Sequence, residues 1–325
     1  SKRPVPPSKA ADPKLGKGGK STVTDQLQAP RRVAASTLNP SSSSTTPVAA
    51  RSVAPDALTV SSERQPLLCQ ILPKLRPFQR EALEFAVPGT RYARQFTESS
   101  STTGHTTHDF LVGQGRLLLA DEMGLGKSIT SLAIMSFYEP EWPLLILCPA
   151  SLRYQWPAEI ERFLPGLPAT STYVCSGFQD VAWTMQAGVK IVVVTYSLFQ
   201  QRSAVAHAVK DFGFKCAIAD ESHNLKQKDS QRSNILLPIL QQSQRLLLLS
   251  GTPALARPSE LWTSLYALAP KAFGTWNHFA KRYCNVTQKH IGQGRYIADY
   301  SGASNTAELH EKLSHVMVRR LKSAV

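Results

Sequence analysis

From residue 115 onward, short continuous apolar runs alternate with stretches of helical spacing. The runs are RLLLAD (116–121), PLLILCP (143–149), STYVC (171–175), KIVVVTY (190–196), KCAIAD (215–220) and RLLLLSG (245–251). They are continuous rather than alternating, so each predicts a strand covered on both faces, as in a parallel sheet between helix layers. Between them KSITSLAIMSFY (127–138), SLRYQWPAEIERFL (151–164) and QRSNILLPILQQ (231–242) have the length and spacing of helices. This order predicts an α/β fold built on a doubly wound, mostly parallel sheet. Ligands in such sheets gather at the carboxyl edge of the strands. Upstream, LRPFQREALEFAV (75–87) sets Phe78, Leu83, Phe85 and Ala86 at helical spacing, with Pro77 near the helix start.

Two stretches break the pattern. Residues 1–65 are rich in Ser, Pro, Ala and Thr, with SSSSTTP at 41–47. Such a segment has too little apolar surface to offset its ordering entropy, so it predicts a disordered tail before an ordered domain at 66–325. FTESSSTTGHTTHDF (96–110) predicts a flexible surface insertion at about 88–113. His105 and His108 lack the cysteines or acids of a metal site, which leaves a solvated loop as the reading.

Composition changes the picture in three ways. The chain of 325 residues is 42% hydrophobic, enough for a sizeable core. Its net charge of +14 favours a polyanionic partner, nucleic acid or an acidic membrane surface. Residues 1–64 hold ten Lys/Arg against four Asp/Glu, so six of the fourteen excess charges sit in the tail, which serves as a linker or helps to hold DNA. Cys69, Cys148, Cys175, Cys216 and Cys284 are scattered with no C-x-x-C pair, which predicts reduced thiols in a cytosolic or nuclear protein. No apolar run reaches membrane-spanning length, and no membrane partner is expected. The chain opens at Ser1 without an apolar signal core, and its Ser- and Arg-containing start fits a plain tail better than a transit peptide.

The candidate chemistry lies at three strand ends. LLLADEMGLGKS (117–128) reads as strand, glycine-containing loop and helix start. Gly124 and Gly126 let backbone N–H groups turn inward around an anion, Lys127 reaches the β- and γ-phosphates, and the Ser128 hydroxyl is a Mg²⁺ ligand. The loop departs from G-x-x-x-x-G-K-[ST] because Asp121 stands at the first glycine. CAIADESH (216–223) delivers two carboxylates, Asp220 to hold Mg²⁺ and Glu221 to polarise the attacking water. His223 is either a relay to neighbouring segments or a turn cap. LLLLSGTPA (246–254) places Ser250, Gly251 and Thr252 to sense the γ-phosphate, or simply forms a strand-to-turn exit.

DEMGLGKS, DESH and LLSGTP in this order resemble motifs I, II and III of superfamily 2 helicases, in the SWI/SNF-like branch of DNA translocases. That branch carries an acid at the position of Asp121. The resemblance implies a RecA-like P-loop lobe binding ATP and Mg²⁺, with Asp121, Glu122, Met123, Gly124, Leu125, Gly126, Lys127 and Ser128 around the phosphates. It makes Lys127, Asp220 and Glu221 the catalytic set and Asp220, Glu221, Ser222 and His223 the DESH box. LRPFQREALEF resembles the adenine-reading motif, implying that Gln79 contacts the base. LILCPASLRYQWPAEIERFLP and VVVTYSLF resemble motifs Ia and Ib, which puts Ser151 and Thr195 near a DNA phosphate. HFAKRYCN and VMVRRLKSAV resemble the segments that close the first lobe and lead toward the second.

DESH, GTPALARPSELWTSLYALAP and DYSGASNTAELHEKL look most like the annealing helicases of this branch, which use ATP to rewind DNA and remodel stalled forks. A nuclear DNA-dependent ATPase on double-stranded or forked DNA is the expectation, with a chromatin-remodelling lobe or a non-catalytic ATP- or DNA-binding fragment as alternatives. Ala324 stands where the family has an acid, and motifs V and VI of a second helicase lobe do not occur before Val325. An arginine finger contributes orders of magnitude to turnover, so this chain alone is expected to bind ATP and hydrolyse it weakly or not at all.

Overall fold

All six apolar runs form strands: β1 (Arg116–Leu119), β2 (Leu144–Cys148), β3 (Thr172–Val174), β4 (Ile191–Thr195), β5 (Cys216–Ala219) and β6 (Arg245–Leu249). The structure is a computed structural model and describes residues 65–90, 113–225, 230–251, 257–290, 292 and 295–325. The expected tail at 1–65 and insertion at 88–113 fall almost wholly outside the described residues, as does Thr252. The strands join a seven-stranded sheet in the order β3-β4-β2-β5-β6-β1-β9, where β9 is Met317–Val318, and every neighbouring pair is parallel. Each predicted strand is trimmed at its carboxyl end, where Asp121, Asp220 and Ser250 leave the ladder and the backbone turns toward the edge.

The two sheet faces explain why the runs are continuously apolar. Leu117, Leu119, Ile146, Val193, Ile218 and Leu247 pack on one side against α1 (Pro66–Ile71), α2 (Pro77–Ala86), α3 (Lys127–Phe137) and α4 (Gln155–Phe163). Leu118, Leu145, Val192, Val194, Ala219 and Leu248 pack on the other against α5 (Ala204–Phe212) and α6 (Gln231–Gln242). Successive side chains on a strand point to opposite faces, so a sheet covered twice needs apolar residues at every position. Four of the five cysteines are buried, and burial pushes the Cys148, Cys175 and Cys216 thiols up to about 12 and Cys284 to about 11. These thiols are inert core groups.

A third cluster packs α7 (Pro258–Leu268), α8 (Pro270–Phe273), α9 (Trp276–Tyr283) and α10 (Thr306–Ser314) around Leu261, Leu265, Phe279, Tyr283 and Leu313. Between α9 and α10 runs an antiparallel hairpin of β7 (Thr287–His290) and β8 (Tyr296–Asp299) that the sequence pattern does not announce. Its residues are mostly exposed, so no apolar periodicity marks it. Arg116, at the start of β1, is a buried cation whose guanidinium donates to the carbonyls of Ser243, Ala267 and Leu268. It caps the carboxyl ends of α6 and α7, where helix carbonyls lack intrahelical partners. Burial and the neighbouring Arg245 lower its pKa to about 10.

Candidate nucleotide site

The strands carrying the three candidate loops are consecutive in the sheet, in the order β5-β6-β1, with Ala219 opposite Leu248 and Leu249 opposite Leu119. Neighbouring strands lie about 4.8 Å apart, so the loops emerge side by side from one carboxyl edge. After β1 the chain turns through Gly124 and Gly126 at φ +87° and +79° and enters α3 at Lys127. Gly126 is required twice over. Its φ is left-handed, and a Cβ there would lie 2.5 Å from Gln79 Nε2. The free N–H groups of the first turn of α3 then face the loop, an anion site with the positive end of the helix behind it.

Lys127 Nζ donates to the Asp121 carbonyl at 2.9 Å. Gly251, just past β6, approaches so closely that a Cβ on it would stand 2.6 Å from Met123 Cγ and 3.5 Å from Lys127 Nζ. The end of β6 therefore lies against the loop and its lysine, and the buried Ser250 donates its backbone N–H to Leu119 at 3.1 Å. Gln79 is 5% exposed; its Oε1 accepts from Arg76 N, and its Nε2 donates to Leu125 O, both at 2.9 Å. It ties α2 to the loop and keeps a second Nε2 hydrogen for another acceptor.

Asp220 is 9% exposed at the end of β5. Its Oδ1 accepts from Glu221 N at 2.8 Å, and its Oδ2 from Trp156 Nε1 at 3.1 Å. The Tyr196 hydroxyl donates to its backbone carbonyl at 2.7 Å. Burial raises the Asp220 pKa, Glu221 N opposes it, the Glu221 charge adds to it, and Trp156 and Lys127 pull it down. Glu221 sits at φ +46°, a left-handed conformation that costs a non-glycine residue about 1 kcal/mol. Its Oε2 lies 3.1 Å from His223 Nδ1, and Asn224 Nδ2 donates to its carbonyl at 2.9 Å. Ser222 is buried and starts the short 3-10 turn Ser222–Leu225 that carries His223.

These donors fit Mg²⁺. A buried carboxylate with raised pKa gains from an adjacent dication, and Ser128 is the second residue of α3. Among the described residues no group of three or more His, Cys, Asp or Glu could hold a metal by itself.

The candidate DNA contacts follow adjacent strands, Ser151 after β2 and Thr195 at the end of β4. Ser151 is exposed. Thr195 is 2% exposed, and its hydroxyl pairs at 2.9 Å with that of Ser197, whose side chain is exposed. Sequence reasoning missed Trp156, Tyr196 and Arg320. The first two read as core residues in an apolar pattern. Arg320 Nη1 lies 3.2 Å from Asp121 Oδ2, a pairing across 199 residues that no local spacing reveals.

Residues 78–325 match the family model described as the SNF2-related domain. The chain is 40% identical over 281 residues to the human DNA annealing helicase and endonuclease ZRANB3, covering 85% of this chain and 23% of that protein. It is 36% identical over 257 residues to the Xenopus laevis SWI/SNF-related matrix-associated actin-dependent regulator of chromatin subfamily A-like protein 1, covering 79% and 23%. The Sulfolobus solfataricus SWI2/SNF2 ATPase core in complex with dsDNA aligns with a TM-score of 0.53 at 21% identity, over 76% of this chain and 44% of that one. The chain thus spans under a quarter of the length of these curated relatives.

Proposed function

Since the chain belongs to the SNF2-related domain family, we propose that it is the ATP-binding motor lobe of a nuclear DNA translocase that rewinds or remodels DNA at replication forks. The observation that carries this reading is the side-by-side emergence of the loops after β1, β6 and β5, with Lys127 between Asp121 and Gly251. Annealing helicases among its relatives support DNA as the polymer acted on. The ordered domain is residues 66–325, with the tail at 1–65 and the insertion at 88–113 as attachments.

Each residue has a role in this reading. The loop from Asp121 to Gly126 and the first turn of α3 cradle the β- and γ-phosphates, with Lys127 swinging from the Asp121 carbonyl onto them. Gln79 offers its remaining amide hydrogen to adenine. Ser128 and Asp220 hold Mg²⁺, which offsets phosphate charge. Glu221 orients and polarises the attacking water, while His223 holds the glutamate by its Oε2. Ser250 and Gly251 register the γ-phosphate through the close approach of Gly251 to the loop, and Thr252 shares that role. Ser151 and Thr195, with Ser197, approach the DNA backbone; phosphate contacts position a protein without reading sequence. In this reading an arginine from a second lobe closing on the same nucleotide completes the site.

DNA-stimulated phosphate release by the full-length protein tests the reading. Lys127→Ala and Glu221→Gln are each expected to lower it at least a hundredfold. Unchanged activity in both variants overturns the assignment. Stimulation by forked DNA above duplex or single strands supports fork remodelling, and indifference to all DNA removes the motor reading.

A further inference from the structure

Asp121 stands where most phosphate loops have glycine, and it is 1% exposed. Among the described residues, Arg320 is the one side chain bonded to its carboxylate, through Oδ2 at 3.2 Å; Oδ1 is buried without a partner. The same guanidinium lies 5.6 Å from the centroid of the Phe78 ring and 3.8 Å from Glu81 Oε2, both on α2. Backbone bonds extend the connection. Leu118 N donates to Val316 O, Ala120 N to Val318 O and Glu122 N to Arg320 O, so the β1–β9 ladder runs past the strand into the loop. Lys322 N then donates to Glu122 Oε2 at 2.8 Å.

Apolar packing does little to hold this segment. Leu321 is 48% and Val325 52% exposed, and a cleft lined by Arg76, Phe78, Glu81 and Leu321 opens between it and α2. Its polar contacts fix its position. They also close a circuit, because α2 binds the far side of the loop through Gln79 and Leu125. Moving the start of the loop therefore breaks contacts to the segment, and pulling the segment away disturbs the loop.

We propose that Arg320 is a positioning residue that latches the segment after β9 onto the start of the nucleotide loop, so that loop conformation and segment position change together. The link to nucleotide deepens the functional reading and rests on it; the latch itself does not. Asp121 is the latch plate, which gives the acid in this loop a physical purpose. Burial works against its charge, and the Arg320 cation is the chief group opposing that effect.

Amide hydrogen exchange on the 325-residue chain tests this, with and without magnesium and a slowly hydrolysed ATP analogue. Without nucleotide, Arg320→Gln is expected to speed exchange at Glu122 at least tenfold, and Asp121→Asn to do the same at Lys322. Arg320→Lys, which keeps the charge, is expected to restore part of the protection. With nucleotide, wild-type protection is expected to reach from the loop to residues 320–322, whereas in Arg320→Gln it stops at the loop. Exchange at Glu122 and Lys322 that matches wild type in both variants overturns the latch. So does protection of residues 320–322 that survives in both. If nucleotide protects nothing in wild type, the nucleotide reading fails while the nucleotide-free comparison still decides the latch.

Discussion

At the residue scale, Gly126 and Gly188 both carry left-handed φ values, +79° and +83°, but a Cβ on Gly188 meets nothing within 4 Å. The pair separates backbone strain from the contact with Gln79. Alanine at either position costs about 1 kcal/mol in strain. Gly126→Ala must also push Gln79 off Leu125 O, adding about 1 kcal/mol for the lost bond and weakening nucleotide binding. Thermal melting is expected to rank Gly126→Ala clearly below Gly188→Ala; equal melting temperatures would remove the Gln79 contact from the account. Arg116 is the other residue whose neighbours outweigh its type. Arg116→Met keeps much of the buried stem but leaves the carbonyls of Ser243, Ala267 and Leu268 without their donor. Unfolding in urea is expected to show a loss of about 3 kcal/mol. A change under 1 kcal/mol would show that water replaces the guanidinium there.

At the element scale, α10 is pinned to α9 by one carboxylate. Glu308 accepts from Arg282 Nε at 2.9 Å and from the Tyr283 hydroxyl at 2.7 Å, and the Arg282 bonds chiefly hold its pKa down to about 2. A carboxyl lowered in the folded state stabilises above its unfolded pKa near 4.5, and that contribution fades as pH falls toward about 2. Acid titration of the wild type should therefore show α10 loosening across this window, read by exchange of its amides. Glu308→Gln should be less stable at neutral pH and lose most of that dependence. The elements themselves were legible to different degrees. Six strands and the helices at 77–86, 127–137 and 231–242 follow from apolar spacing, because burial on one or both faces imprints a period on the sequence. The hairpin β7–β8 has exposed faces and the two-residue β9 is defined by its ladder to β1, so neither carries such a period.

At the scale of the whole molecule, the candidate site depends on which strands become neighbours. Trp156 from α4 and Tyr196 beyond β4 meet Asp220 beyond β5, joining the segments that carry the candidate DNA contacts to the acid proposed to hold the metal. Trp156→Phe keeps a six-membered aromatic ring but removes the N–H together with the fused five-membered ring that carries it. The lost bond alone costs about 1 kcal/mol, roughly a fivefold change, and the lost buried volume lowers stability further. Magnesium-dependent nucleotide affinity is expected to fall by that factor beside the lower melting temperature that the lost packing brings; a drop in melting with unaltered magnesium dependence would make the contact purely structural. By itself the sequence determined the apolar runs, the doubly covered sheet they imply and the residue types at three strand ends, since burial and phosphate chemistry act on local patterns. Tertiary structure alone decided that β6 lies between β1 and β5, that Gln79 closes on Leu125, and that Asp121 answers to Arg320. These are pairings between distant segments, and they exist only once the chain has brought those segments to one edge of the sheet.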